Sequence, residues 1–236
     1  MTKDEFIKSV LNLGISLNQD QINKLDLYKD LLKEWNNKFN LTTIISDEDI
    51  YLKHFFDSLF IISKLNIHGS LCDFGTGAGF PGMVIAIIQS NIKIDLIESN
   101  GKKCEFLKEV QKKLNLNNVT IINDRMENYS RKVKEKYDYI VCRAVSNLGI
   151  ICEVCINALK IGGYFTPYKT NAKVEYDFYK KNIEKLCFKL ENIIEYRLPF
   201  ENSIRNIPVF NKTKENDKKY PRNYNIIKKD NKNISQ

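Results

Sequence analysis

Asp73, Gly75, Gly77, Gly79 and Gly82 fall within ten residues, and Glu98 follows 19 positions after Gly79. The glycines lie between two apolar runs, Ser70 to Phe74 and Met83 to Ile88, that read as a buried strand and a buried helix. Glycine lets a chain turn sharply and lets a ligand lie against bare peptide groups, while the helix start beyond it offers free N–H donors. Gly77-Ala78-Gly79-Phe80-Pro81-Gly82 satisfies the G-x-G-x-x-G fingerprint of dinucleotide sites, and Glu98 stands where a ribose-binding acid belongs. Asp73 tilts the chemistry. An anion at the strand end repels a pyrophosphate but suits a cationic cofactor, and S-adenosylmethionine carries both a sulfonium and an amino group.

The elements that must hold these residues follow from periodicity. Asn18-Gln19-Asp20 starts a helix whose apolar positions Ile22, Leu25, Tyr28, Leu32, Trp35 and Phe39 recur at threes and fours. Ser46-Asp47-Glu48-Asp49 resembles a capping box opening a second helix, so the first 65 residues read as a helical prelude. A βαβ rhythm comes next, with strands near 70–74, 92–98, 119–123, 137–142 and 164–169, a polar link before the fourth and a Gly162-Gly163 turn before the fifth. Leu186 to Arg197 and Ile204 to Asn211 read as an antiparallel hairpin at one sheet edge. The expected fold is α/β, a doubly wound, mostly parallel seven-stranded Rossmann-like sheet. It divides into a helical extension (1–65), a sheet domain (66–211) and a basic tail (212–236) too polar to pack, expected to be flexible or to face RNA.

Composition narrows the function classes. A net charge of +8 with 31 lysines and six arginines favours a polyanionic partner. The charged opening Met1-Thr2-Lys3-Asp4-Glu5 has no apolar stretch after it, and no run approaches a membrane span, so a cytosolic protein without membrane attachment is expected. Six cysteines lie mostly in apolar patterns, as reduced thiols do. Cys152 and Cys155 form half of a zinc pattern without a second half, and no metal is expected.

Four stretches carry a specific resemblance: Trp35-Asn36-Asn37-Lys38-Phe39-Asn40-Leu41-Thr42, His54-Phe55-Phe56-Asp57-Ser58, the turn from Asp73 to Gly82, and Arg143-Ala144. Together they closely resemble the bacterial small-subunit rRNA guanine-N7 methyltransferases, the family also called glucose-inhibited division protein B. The resemblance runs from about residue 20 to Lys169, with a weaker echo at Lys219-Tyr220-Pro221-Arg222. It implies an S-adenosylmethionine-dependent enzyme methylating N7 of one guanine in 16S rRNA, nucleotide 527 in conventional numbering. It further implies that Asp73, Gly75, Gly77, Gly79 and Phe80 line the cofactor, Glu98 holds its ribose, Met126 and Glu127 touch adenine, and Arg143 faces cofactor and substrate in a positioning role. Arg125, Lys169 and Arg222 are candidate RNA contacts, the small ribosomal subunit the partner, and a monomer the expected state.

Plainer roles stand beside these. Glu98 could be a solvated strand-end acid, Arg143 could pair with Glu127, and Phe80 could only pack. His54 and Asp57 are read as tying the prelude to the sheet. The Asn-Pro-Pro-Tyr clamp of exocyclic-amine methylation and the Pro-Cys nucleophile of pyrimidine-carbon methylation are both missing from the sequence. Guanine N7 needs neither, because its lone pair is free at neutral pH and it has no proton to lose. Two other classes remain open: a nicotinamide oxidoreductase using the same turn, and a catalytically silent rRNA-binding assembly factor.

Overall fold

The computed structural model describes residues 1–201 and 203–231. Seven strands form one sheet: β1 (Ser70–Phe74), β2 (Lys93–Glu98), β3 (Val119–Asn123), β4 (Tyr137–Arg143), β5 (Leu159–Tyr168), β6 (Phe188–Arg197) and β7 (Ile204–Lys212). Their order is β3-β2-β1-β4-β5-β7-β6. The first five are parallel, and β7 runs antiparallel to both β5 and β6, the edge hairpin expected from the sequence. Strand order reverses between β1 and β4, so a crevice opens beyond their carboxyl ends, where such sheets bind ligands.

The helices fall on the two faces. α1 (Lys3–Asn12) and α2 (Gln19–Asn36) each begin with a reciprocal cap, Thr2 with Glu5 and Asn18 with Gln21. After α3 (Asp47–Asp49) comes a π-helix, Ile50–Phe56, then α4 (Asp57–Leu59) and a 3₁₀ turn, Phe60–Ser63. This prelude has no core of its own. Phe6, Tyr28 and Phe55 pack in one cluster with Met83 of α5 (Gly82–Ile88), Leu96 and Phe106 of α6 (Gly101–Lys113). The opposite face carries α7 (Met126–Lys132), α8 (Leu148–Cys155) and α9 (Ala172–Lys185), whose Tyr129, Ile151 and Tyr179 pack with Phe165 and Phe210.

Three expectations are corrected. The polar link before β4 holds α7, a short helix whose apolar face is only Met126 and Tyr129. Gly162 and Gly163 lie inside β5, where the β4–β5 register shifts, so they form an irregularity in the strand rather than a turn before it. The tail packs as well: α10 (Tyr224–Asp230) buries Ile227 against Ile150 and Val154 of α8. Lys232 and the rest of 232–236 lie outside the described residues.

Candidate functional site

The glycine turn leaves the end of β1 and is shaped by two carboxylates. Asp73 is fully buried, and its Oδ2 accepts from Thr76 Oγ1 at 2.6 Å and from Gly82 N at 2.8 Å, closing the turn onto the start of α5. Its Oδ1 is buried and has no hydrogen-bond partner among the described residues. Burial raises the Asp73 carboxyl to about 6, against the opposing effects of the Thr76 and Gly82 bonds and the Arg143 charge. A buried acceptor left unsatisfied is costly, so an incoming ammonium group fits this position well.

Glu98, at the end of β2, faces the same turn. Oε2 accepts from Gly77 N at 3.0 Å and Oε1 from Asn100 N at 2.8 Å, so the carboxylate fixes the turn and the start of α6 together. Each oxygen keeps a lone pair for a hydroxyl donor. Gly75, Gly77 and Gly79 all have positive φ. A Cβ on Gly79 would lie 2.4 Å from Tyr28 Oη and one on Gly75 2.9 Å from Val145 Cγ2, whereas one on Gly77 would meet no atom of the described residues within 4 Å. Gly77 is therefore the glycine that keeps the space above the turn open. Met126 and Glu127 start α7 just beyond β3, beside β2, at the same end of the sheet as Glu98. Glu127 pairs at 3.3 Å with Arg125, whose guanidinium is largely exposed.

Arg143 ends β4 across the crevice. Its Nη1 donates to Asp57 Oδ2 and to Lys53 O, both at 2.8 Å, and its Nη2 donates to His54 Nδ1 at 2.9 Å. Its partner is thus Asp57 rather than Glu127. Phe80 lies beneath this group, with the His54 ring stacked on it at 4.0 Å and 3° and the Arg143 guanidinium 5.4 Å from its centroid. Ala144 follows at φ +56°, a conformation that few residues other than glycine adopt, and turns the chain away from the strand.

A cavity of about 630 Å³ opens beside Arg143, walled by His54, Asp57, Val145, Lys169 and Arg205 among others. Lys169 lines it but is held, donating to Ser146 O at 2.5 Å and pairing with Glu175 at 2.8 Å. Arg222 belongs elsewhere. Its Nε and Nη2 donate to the two oxygens of buried Glu153 on α8, both at 2.8 Å, and Nη1 pairs with Asp230 at 2.6 Å. Its guanidinium holds the C-terminal segment on α8, and it does not line the cavity beside Arg143.

Reading the sequence missed Arg205 and Val145, which line this cavity, and Tyr196, whose Oη donates to Asp57 Oδ1, and treated His54 and Asp57 as structural. The i, i+3 spacing of His54 and Asp57 on one helical face was the available signal; nothing local marks Arg205.

Comparison with known proteins decides the family. The model of the family described as rRNA small subunit methyltransferase G matches residues 21–203. The chain belongs to that family. It is 41% identical over 221 residues to a ribosomal RNA small subunit methyltransferase G from Acetivibrio thermocellus, covering 92% of this chain and 90% of that one. Against the protein of the same name from Bacillus subtilis it is 38% identical over 227 residues, covering 94% and 95%. Among solved structures, a precorrin-6y C5,15-methyltransferase from Geobacter metallireducens superposes with a TM-score of 0.54 at 14% identity, covering 73% of this chain and 92% of that one. An S-adenosylmethionine-dependent O-methyltransferase from Thermotoga maritima gives 0.52 at 18% identity, covering 79% and 72%. These two likenesses establish the methyltransferase fold.

Proposed function

We propose that this protein transfers the methyl group of S-adenosylmethionine to N7 of guanine 527 in 16S rRNA, within the small ribosomal subunit. The observation that carries the cofactor reading is Asp73 Oδ1, a buried carboxylate oxygen without a partner among the described residues, set beside a turn that Gly77 leaves open. Family membership and the +8 charge support rRNA as the substrate.

The residues divide the work by position. Asp73 would take the ammonium group, Glu98 the ribose hydroxyls, and Met126 and Glu127 the adenine edge. When bound, the cofactor supplies an electrophilic methyl on a sulfonium. Guanine N7 has a lone pair and no proton, so the protein needs no general base and the chemistry requires no metal. What remains for the chain is to align the guanine with the methyl and to exclude water. Arg143 stands at the mouth of the crevice as a fixed cation. It can bond guanine O6 or a phosphate while leaving N7 free.

The test is transfer of labelled methyl groups to small subunits with mapping of the modified base. Label on N7 of that guanine is expected, and label on another atom or base overturns the reading. Subunits carrying 7-deazaguanine there should bind without reacting. Stabilisation by NAD and not by S-adenosylhomocysteine would instead favour the oxidoreductase.

A further inference from the structure

The two sequence motifs that the proposed chemistry does not use, Asn-Leu-Thr and His-x-x-Asp-Ser, meet at Arg143. Asn36 Oδ1 accepts from Leu41 N at 2.8 Å and Thr42 N at 2.9 Å, folding the loop after α2. That loop presents Thr42 Oγ1 to His54 Nε2 at 3.1 Å. His54 then faces Arg143 through Nδ1, and Asp57 holds the same guanidinium while its other oxygen accepts from Tyr196 Oη at 2.7 Å. The hydrogen-bonded chain runs from α2 through the π-helix to β4 and β6. The π-turn contributes directly, since the Lys53 carbonyl within it also accepts from Arg143.

The proton positions in this chain follow from valence. Arginine only donates, so His54 Nδ1 must be the acceptor, and the ring proton sits on Nε2, aimed at Thr42 Oγ1. An imidazolium would set a donor against a donor at 2.9 Å. Burial, with the Arg143 charge adding to it, holds the His54 pKa down to about 3. The same ring stacks on Phe80, which belongs to the glycine turn through Phe80 N donating to Thr76 O at 3.0 Å. One neutral ring therefore touches both halves of the crevice. A carboxylate in its place would also accept from Arg143 but would add a second negative charge beside a guanidinium that Asp57 already pairs.

We propose that His54 is a positioning residue: its neutral imidazole, oriented by Thr42, fixes Arg143 relative to Phe80 and the glycine turn without adding a second negative charge to that of Asp57. The proposal rests on the reading that Arg143 faces the substrate.

The experiment has three arms. In the parent protein, ¹⁵N spectra of labelled histidine, assigned with His68→Gln, should place the proton of His54 on Nε2. His54→Phe keeps a ring on Phe80 and loses the acceptor; His54→Asn loses the ring but leaves an oxygen near Nδ1. On small subunits at saturation, His54→Phe should slow single-turnover methyl transfer at least about tenfold while binding S-adenosylhomocysteine within about twofold of the parent, and His54→Asn should recover much of that loss. A proton on Nδ1, a fully active His54→Phe, or rates that follow only the folded fraction by circular dichroism would each overturn the proposal. A parent that fails to methylate subunits overturns the function reading instead, and the ring-nitrogen spectrum still decides the acceptor.

Discussion

Asp73 has a cost when ionised, and that cost has a sign. Its carboxyl titrates near 3.8 in the unfolded chain and near 6 in the folded one, so between those values the native state binds more protons. Stability therefore falls as pH rises through that window, by about 2–3 kcal/mol, and the penalty is complete above it. Asp73→Asn removes the charge and keeps an oxygen for Thr76 and Gly82. The variant should melt a few degrees higher than the parent at pH 8, with the difference shrinking toward pH 5, in calorimetric scans without ligand. Binding should move the other way: its amide donors oppose an ammonium, and S-adenosylhomocysteine should bind at least about tenfold more weakly. In the parent, that affinity should decline below about pH 6 as Asp73 takes up its proton. A variant that binds as tightly as the parent would remove Asp73 from the cofactor site.

At the scale of elements, the glycine turn separates folding from binding. Gly75→Ala must displace Val145 as well as adopt φ +66°, so it should cost more stability than the roughly 1 kcal/mol expected from the backbone alone. Gly77→Ala has only the backbone cost, because its Cβ enters open space. It should stay folded and lose cofactor affinity, which makes it the cleaner test; a Gly77→Ala protein with unchanged affinity in calorimetry would move the cofactor away from the turn. This turn, β1, β2 and the edge hairpin were readable because their patterns are local. Apolar runs bounded by glycine fix a strand and a turn, and alternation fixes an edge. α9 was not readable, since its buried face is only Ala172, Tyr179 and Ile183 within 14 residues. α1 buries only Phe6 and Val10, too few to register as a period. Asp57 and Arg143 lie 86 positions apart, and no local spacing announces a pair that the fold alone brings together.

Across the whole molecule, the question is what the C-terminal segment does. Its lysines suggested an arm for RNA, yet the segment lies on α8 and closes that face. Asn147 Nδ2 donates to Asn231 O at 3.1 Å, and a Cβ on Gly149 would collide with Asn231 Oδ1 at 2.3 Å. The pin is Arg222, which meets both oxygens of Glu153, a carboxylate whose side chain is 3% exposed. Removing one partner of a buried pair leaves an uncompensated charge, which costs about 3–5 kcal/mol when both groups are buried. Arg222 is partly exposed, so roughly 2–3 kcal/mol is expected for Arg222→Ala, measured by denaturant unfolding. Glu153→Gln should cost less, because the charge left behind on Arg222 is partly solvated and keeps Asp230. An RNA contact predicts a different pattern. Losing a phosphate-bound cation lowers the salt dependence of subunit binding by about one unit of slope and leaves stability nearly unchanged. A fold-holding arginine reverses this, so Arg222→Ala should destabilise the protein while its salt slope matches the parent's. A lowered slope with unchanged stability would support Arg222 as an RNA contact instead.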